Sequence, residues 1–330
     1  MEADGASRAL EIPARTIPIP ASVSAAARQQ LARDPVRLPP YPALDDLAGW
    51  RAMVAAVDGQ ILAAMTAPAG ASGDAWADTE RVDVGAGVFV ITPPAADGAD
   101  ERVYLDLHGG AMIFRGGQLC RAAGIDTARG TGLRTWAVDY RMPPDHPYPA
   151  GLDDCLAAYR ALLGLRRADQ VVVGGSSAGA NLAAAMILRA RDEGLPLPAA
   201  AILLTPHLDL TESGDTFRTN LGVDTVLPAS LMPVSLLYAG GADLACPYLS
   251  PLFGDFSPGF PPTLLAGGTR DLLLSNAVRM HRSLRDADVP AELHVLEAAQ
   301  HGLMPRTPEG ESLARDVQKF ISTHCPPRTP

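Results

Sequence analysis

The chain has 330 residues, 47% of them hydrophobic and 19% charged, so it can bury a sizeable core and wholesale disorder is excluded. Its 27 basic and 37 acidic residues leave a net charge of −10, and Lys319 is the only lysine. Such a chain is a poor partner for a nucleic-acid backbone or an anionic bilayer, and lysine Schiff-base chemistry has almost nowhere to sit.

Residues 1–80 differ in pattern from the rest of the chain. Met1 to Pro13 carries Glu2, Asp4 and Glu11 without an apolar stretch, so it does not read as a signal peptide. No run reaches the roughly 18 apolar residues of a membrane span. Prolines punctuate Ile17 to Pro20 and Leu38 to Pro42. Ser22 to Leu31 reads as a short helix. Leu44 to Met65 reads as a longer one, with Leu47, Trp50, Val54, Val57, Ile61 and Met65 at three- and four-residue steps. Gly70 to Asp74 reads as a linker, and no strand signal precedes about Arg81.

From there strands and helices alternate. Val82 to Ile91, Arg102 to Leu107 and, after a glycine-rich helical stretch, Thr135 to Tyr140 read as strands. Helix Asp153 to Leu163, strand Gln170 to Val173, helix Asn181 to Arg191 and strand Ala199 to Leu204 come next. Beyond residue 250 lie strand Pro262 to Ala266, helix Ser275 to Ala287, strand Glu292 to Leu296 and helix Glu309 to His324. This alternation predicts a mostly parallel sheet covered on both faces, with short apolar runs such as Gln170 to Val173 at its centre. Residues 210–250 break the pattern and read as helical, a second part of a lid. Cys120, Cys155, Cys246 and Cys325 are scattered without a CxxC pair, which supports neither a structural zinc site nor a disulfide framework. Buried thiols in a cytoplasmic protein are the expectation.

The sharpest local feature is Gly175-Ser176-Ser177-Ala178-Gly179, with a strand before it and a helix after it. Gly-x-Ser-x-Gly in that setting is a nucleophile elbow: a turn too tight for side chains holds the serine Oγ above the sheet edge. A serine hydroxyl needs a base and a group to orient that base. Among seven histidines, His301 lies just past a strand, and Asp271 just past another. The order Ser177, Asp271, His301 is that of the α/β hydrolases. Asp209, also after a strand, competes for the acid. His207 reads as a pocket wall or a hydrogen-bonded loop residue, and His146, among prolines, as structural. Leu107-His108-Gly109-Gly110-Ala111 ends a strand with paired glycines, whose backbone N–H groups can approach a developing oxyanion unobstructed. His108 could brace that loop.

Together these motifs resemble the hormone-sensitive-lipase family of α/β hydrolases, which includes many bacterial esterases. His108 to Ala111 stands where the family has HGGG, and Tyr140-Arg141-Met142-Pro143-Pro144-Asp145-His146-Pro147-Tyr148-Pro149-Ala150 is close to YRLAPEHPYPA. The resemblance spans about residues 80–325. It implies Ser177 as nucleophile, His301 as base and Asp271 as its orienter. It also implies an oxyanion hole from N–H groups around Gly110, with Gly109 or Ala111, and Ala178, and an N-terminal helical cap. Two departures, Ala111 for the third glycine and Ser176 for the acidic residue of GDSAG, bear on substrate preference.

The expectation is an α/β-hydrolase fold: a helical cap segment at 1–80, a catalytic domain at 81–330, and 210–250 as a further cap part. The expected reaction is serine-dependent hydrolysis of small short-acyl esters, with no cofactor or metal and no nucleic-acid or membrane partner. A homodimer paired through Glu292 to Leu296 is open. So are an amidase or deacetylase using the same triad and a non-catalytic binding protein of the same fold.

Overall fold

The computed structural model describes residues 10–37, 39–66, 76–94 and 100–327; the beginning of the chain and the linker read at Gly70 to Asp74 lie outside them. Two helices, Ala25–Leu31 (α1) and Leu47–Thr66 (α2), precede the first strand. The predicted strand from Val82 to Ile91 is two strands, Asp78–Asp83 (β1) and Gly87–Thr92 (β2), paired antiparallel. The reversal falls at Gly85, which takes φ +84° and donates its N–H to the Asp83 carboxylate at 2.9 Å. Hydrophobic alternation runs through such a turn unmarked, which hid it, and β1 begins three residues before the first sequence signal.

The remaining elements keep to the predicted alternation: strand Val103–Leu107 (β3), helix Gln118–Thr131 (α3), strand Arg134–Asp139 (β4), helix Ala150–Leu163 (α4), strand Val171–Ser176 (β5), helix Ala178–Asp192 (α5) and strand Ala200–Leu204 (β6). Among the described residues the strands form one eight-stranded sheet in the order β1-β2-β4-β3-β5-β6-β7-β8, where β7 is Thr263–Gly268 and β8 is Ala291–Leu296. Pairing is parallel from β4 across to β8. Strand β5 is buried on both faces, as its unbroken apolar run requires.

Successive residues serve opposite layers. Leu105, Leu107, Val171, Val173, Ala201, Leu203 and Leu265 pack with α4, α5 and a later helix, Leu274–Asp286. Tyr104, Val172, Ile202 and Leu264 meet Phe320 and Ile321 of the last helix, Pro308–His324, while Ile91 and Ala137 meet Ile125 and Ala128 of α3. Helix α5 is alanine-rich and buried nearly all round, as a helix wedged between sheet and neighbour must be.

Residues 210–250 are only partly helical. Two short helices, Thr216–Thr219 (α6) and Met232–Ala239 (α7), stand among turns, because Gly214, Gly222, Pro228, Gly240 and Gly241 interrupt any longer run. In chain order, Leu274–Asp286 is then α8 and Pro308–His324 is α9. Trp50 and Met53 of α2 pack with Ile113, Phe114, Phe217, Leu231, Val234, Leu237, Leu272 and Leu273, all from loops and helices at one edge of the sheet. Burying a side chain such as Met53 contributes about 1.5–3 kcal/mol. Leu47 and Met65, the first and last residues of the predicted apolar stripe, remain exposed.

Strands β3 and β5 approach α5 so closely that a Cβ on Gly179 would lie 1.7 Å from the Leu107 carbonyl oxygen. Gly179→Ala should therefore abolish the soluble fold or lower Tm steeply. Gly130→Ala, in a helix and with open space at the Cβ position, should raise Tm slightly, by up to about 1 kcal/mol of stability. Thermal melts of both variants check this; a Gly179→Ala protein melting like the parent would refute the packing.

Candidate active site

Ser177 sits between β5 and α5 with φ +58° and ψ −117°, a conformation that costs a non-glycine residue on the order of 1–3 kcal/mol. The surroundings hold it there. Its N–H donates to the Leu204 carbonyl at 2.8 Å, and its carbonyl accepts from the Asn181 and His207 amides at 3.2 and 3.3 Å. Its side chain lies at the start of a 15-residue helix, whose N-terminal amides favour nearby negative charge. The neighbouring Ser176 hydroxyl turns to Thr205, 3.3 Å away.

The loop after β3 abuts this turn: a Cβ on Gly109 would lie 2.9 Å from the Ser176 carbonyl and 3.6 Å from the Ser177 Cβ. Gly110 takes φ +132°, and its carbonyl accepts from the Ile113 and Phe114 amides at 3.0 and 2.8 Å. Ala111 and Met112 adopt φ +51° and +66° within that turn. Ala111 thus takes the left-handed conformation a third glycine would have entered freely, at some cost in strain. His108 braces the loop as expected. Its Nδ1 meets the Gly109 carbonyl at 2.8 Å, its ring stacks on Tyr140 with centroids 4.1 Å apart, and the Tyr140 hydroxyl donates to the His108 carbonyl. Burial holds the imidazole neutral, its pKa lowered to about 4.

At the ends of β7 and β8, Asp271 is fully buried and the His301 side chain is 11% exposed, with Nδ1 3.2 Å from the Asp271 carboxylate. Asp271 also accepts the Leu273 N–H at 2.9 Å. With Nδ1–H donating to the carboxylate, Nε2 carries the lone pair. Burial, the largest single influence on His301, favours the neutral ring. The Asp271 charge, its hydrogen bond and the Asp224 charge together outweigh it, so the pKa lies above the ordinary 6.5.

The competing assignments separate on hydrogen bonds. Asp209 is buried, but its carboxylate is occupied by the hydroxyls and N–H groups of Thr211 and Ser213 and by Arg279 at 2.7 Å. It steadies its own turn and meets no histidine among the described residues. His207 is a buried wall beside Phe217, its pKa lowered to about 4 by burial and then by His301. His146 is exposed in the turn before α4.

Sequence reasoning missed two carboxylates. Asp224, fully buried, accepts the Val226 and Leu227 N–H groups on one oxygen and those of Leu272 and His301 on the other, at 2.9 and 3.2 Å. One side chain thereby ties the loop of Asp271 to the loop of His301. Asp58 of α2 accepts the Arg115 N–H on both oxygens, at 3.0 and 3.1 Å, and so fastens the glycine loop from outside. Neither residue carries a local signature beyond an acidic side chain near a turn. Helix α1 adds a third fastening: Val23, Ala27 and Leu31 pack on Ala298, Ala299 and Met304 around His301, and Ser24 donates to Glu309 through both its N–H and its hydroxyl. A depression of about 890 Å³ opens between Leu31, Arg33, Val226, Met304 and His301; its lining does not include Ser177.

No helix of the described residues is long and apolar enough to cross a membrane. Comparison with known proteins bears on the family. A family profile for the alpha/beta hydrolase fold matches residues 104–305. An esterase of Acinetobacter venetianus is 30% identical over 235 residues, 69% of this chain and 77% of that protein. The crystal structure of an esterase called E25 superposes with a TM-score of 0.86 at 34% identity, covering 96% of this chain and 99% of that one. An esterase of the bacterial hormone-sensitive lipase family gives a TM-score of 0.73 at 30% identity, with 91% and 96% covered. The strained serine, the glycine loop and the carboxylate–imidazole pair all fall inside the matched region, and this chain belongs to the α/β-hydrolase family, in its hormone-sensitive-lipase branch.

Proposed function

We propose that the protein hydrolyses carboxylic esters of short acyl chain in two steps through an acyl-enzyme. The observation that carries this reading is the placement at one sheet edge of a strained Ser177 with a glycine loop pressed against it, and of the Asp271–His301 hydrogen bond. Ser177 Oγ attacks the ester carbonyl carbon while His301 Nε2 takes its proton. N–H groups around Gly110, with Gly109 or Ala111, and that of Ala178 receive the oxyanion. Collapse expels the alcohol, which takes its proton from His301. Water then attacks the acyl-enzyme with His301 again as base, and the acid and free Ser177 are released. Asp271 holds the imidazole in its reactive tautomer and stabilises the imidazolium.

The packing of α2 and α7 over these loops supports reading the N-terminal segment and part of 210–250 as a cap, and the relatives named as esterases support the choice of an ester bond. Four free cysteines, three of them buried, support a cytoplasmic setting. Strand β8 ends the sheet, which leaves its outer edge for a second copy in a homodimer; the elution volume of the pure protein decides that point.

Ser177→Ala should lower kcat at least about 10³-fold in a folded protein. Asp271→Asn should cost on the order of 10³ to 10⁴, whereas Asp209→Asn should cost little by comparison. Retention of a tenth of the activity by Ser177→Ala, or the reverse ranking of the two aspartates, would overturn the assignment. Matched ester and amide substrates in the same assay decide the bond.

The raised pKa of His301 gives a direction in pH. The base must be neutral, so kcat/KM should fall with decreasing pH through a midpoint above 6.5. Asp224→Asn removes a charge that favours the imidazolium, so its acid limb should move to lower pH. It should also lower kcat, because an amide cannot accept hydrogen bonds at both positions. An unmoved limb would reduce Asp224 to a purely structural role.

Only 5% of residues are aromatic, and the roof over the site is built from a few side chains on α2 and α7. Each enclosed methylene contributes about 0.8 kcal/mol until the pocket ends, and longer chains then displace the carbonyl from its donors. On p-nitrophenyl esters, kcat/KM should peak between acetate and hexanoate and fall steeply by decanoate. Preference for palmitate over butyrate would identify a lipase instead.

A further inference from the structure

Three side chains that sequence spacing keeps apart converge behind the glycine loop: His108 at the end of β3, Cys120 in the first turn of α3 and Asp139 at the end of β4. One nitrogen, one sulfur and one oxygen from them lie within 4.8 Å of one another. His108 and Cys120 are buried, and Asp139 is partly open to solvent. The Gly109 carbonyl can only accept, so His108 Nδ1 carries the hydrogen and Nε2 holds a lone pair. That Nε2 is buried without a hydrogen-bond partner among the described residues. A buried acceptor left unsatisfied is costly in a core, so it marks a place with something to bind. One Asp139 oxygen accepts the Gly117 N–H at 2.7 Å, and the other faces the exposed Arg81 at 3.5 Å, a loose pairing that a stronger cation can replace.

We propose that His108, Cys120 and Asp139 bind a soft divalent cation of the zinc class, and that its binding inhibits the enzyme from behind the oxyanion loop. Imidazole, thiolate and carboxylate are a zinc-type donor set, poorly suited to magnesium or calcium. Metal–ligand distances of about 2.0–2.3 Å require the three atoms to close in by roughly an ångström. Solvent at the open side of Asp139 supplies the fourth ligand. On binding, the Cys120 S–H bond is exchanged for a sulfur–metal bond, and the proton leaves to the buffer. Drawing His108 toward the cation pulls on Gly109 and Gly110, its immediate successors in the chain. The inhibitory half rests on the proposed role of those residues; the binding half does not.

Cobalt(II) added to the metal-free, full-length protein should give one equivalent of a thiolate-to-cobalt charge-transfer band in the near ultraviolet. The band should survive Cys246→Ala, which removes the half-buried thiol, and vanish in Cys120→Ala and in Cys120→Ser, either of which suffices should the other fail to fold. Zinc should displace the cobalt and lower kcat of the parent at least about tenfold, while the Cys120 variants keep their activity. Magnesium and calcium should do neither. No band in the parent, or a band that persists without Cys120, overturns the site. A band accompanied by zinc inhibition equal in parent and Cys120 variants overturns the inhibitory half. The cobalt titration decides the site even in a preparation that hydrolyses no ester.

Discussion

The carbonyl oxygen of Leu107 lies in a space that exists only because Gly175 and Gly179 have no side chains; a Cβ on either would come within 2.3 Å of it. That close approach brings β3, β5 and the start of α5 to a single point on the sheet edge. The chain leaving β3 therefore passes against Ser177, and the glycine loop lies beside the serine and the start of α5. The strain at Ser177 is sustained by the same packing, because relaxing the turn would drive its neighbours into backbone that has nowhere to go.

Around this point the loops are held by carboxylates rather than by apolar contact alone. Asp271 is hydrogen-bonded to the His301 imidazole, Asp224 joins the loops that carry those two residues, and Asp58 reaches across from α2 to the end of the glycine loop. Asp271 and Asp224 are fully buried, and their bonds to N–H groups are of the charge-assisted kind worth about 1.5–3 kcal/mol each. A site built on loops thereby acquires the rigidity of a site built on strands.

The parts legible in the sequence were those written locally. The elbow around Ser177 needs small residues at fixed offsets. The glycine loop needs a strand just before it, and apolar runs such as Val171 to Val173 announce central strands. The pairing of Asp271 with His301 could be expected from their positions after strands and from chain order. What escaped was written across distance. Asp224 looks like any loop aspartate until residues 272 and 301 are brought to it, and Asp58 sits on a helix whose apolar stripe draws the eye elsewhere. The β1–β2 hairpin was hidden because a glycine reversal leaves the alternation of side chains unbroken. The short helices within 210–250 arise from glycines and prolines that are plain in the sequence, but which turns they make depends on packing against α2.

The bond pair between Ser24 and Glu309 spans 285 residues. Helix α1 therefore meets its partners only when nearly the whole chain has left the ribosome, and α2 waits for loops on either side of residue 230 and around residue 272. Long-range closures of this kind come late in folding and leave apolar surface open meanwhile. The nascent protein consequently carries two helices without their final contacts for most of its synthesis. The contacts of α1 close late, so a ribosome-stalled fragment lacking α9 would hold Ser177, Asp271 and His301 in sequence yet lack the Ser24–Glu309 clasp beside the loop of His301.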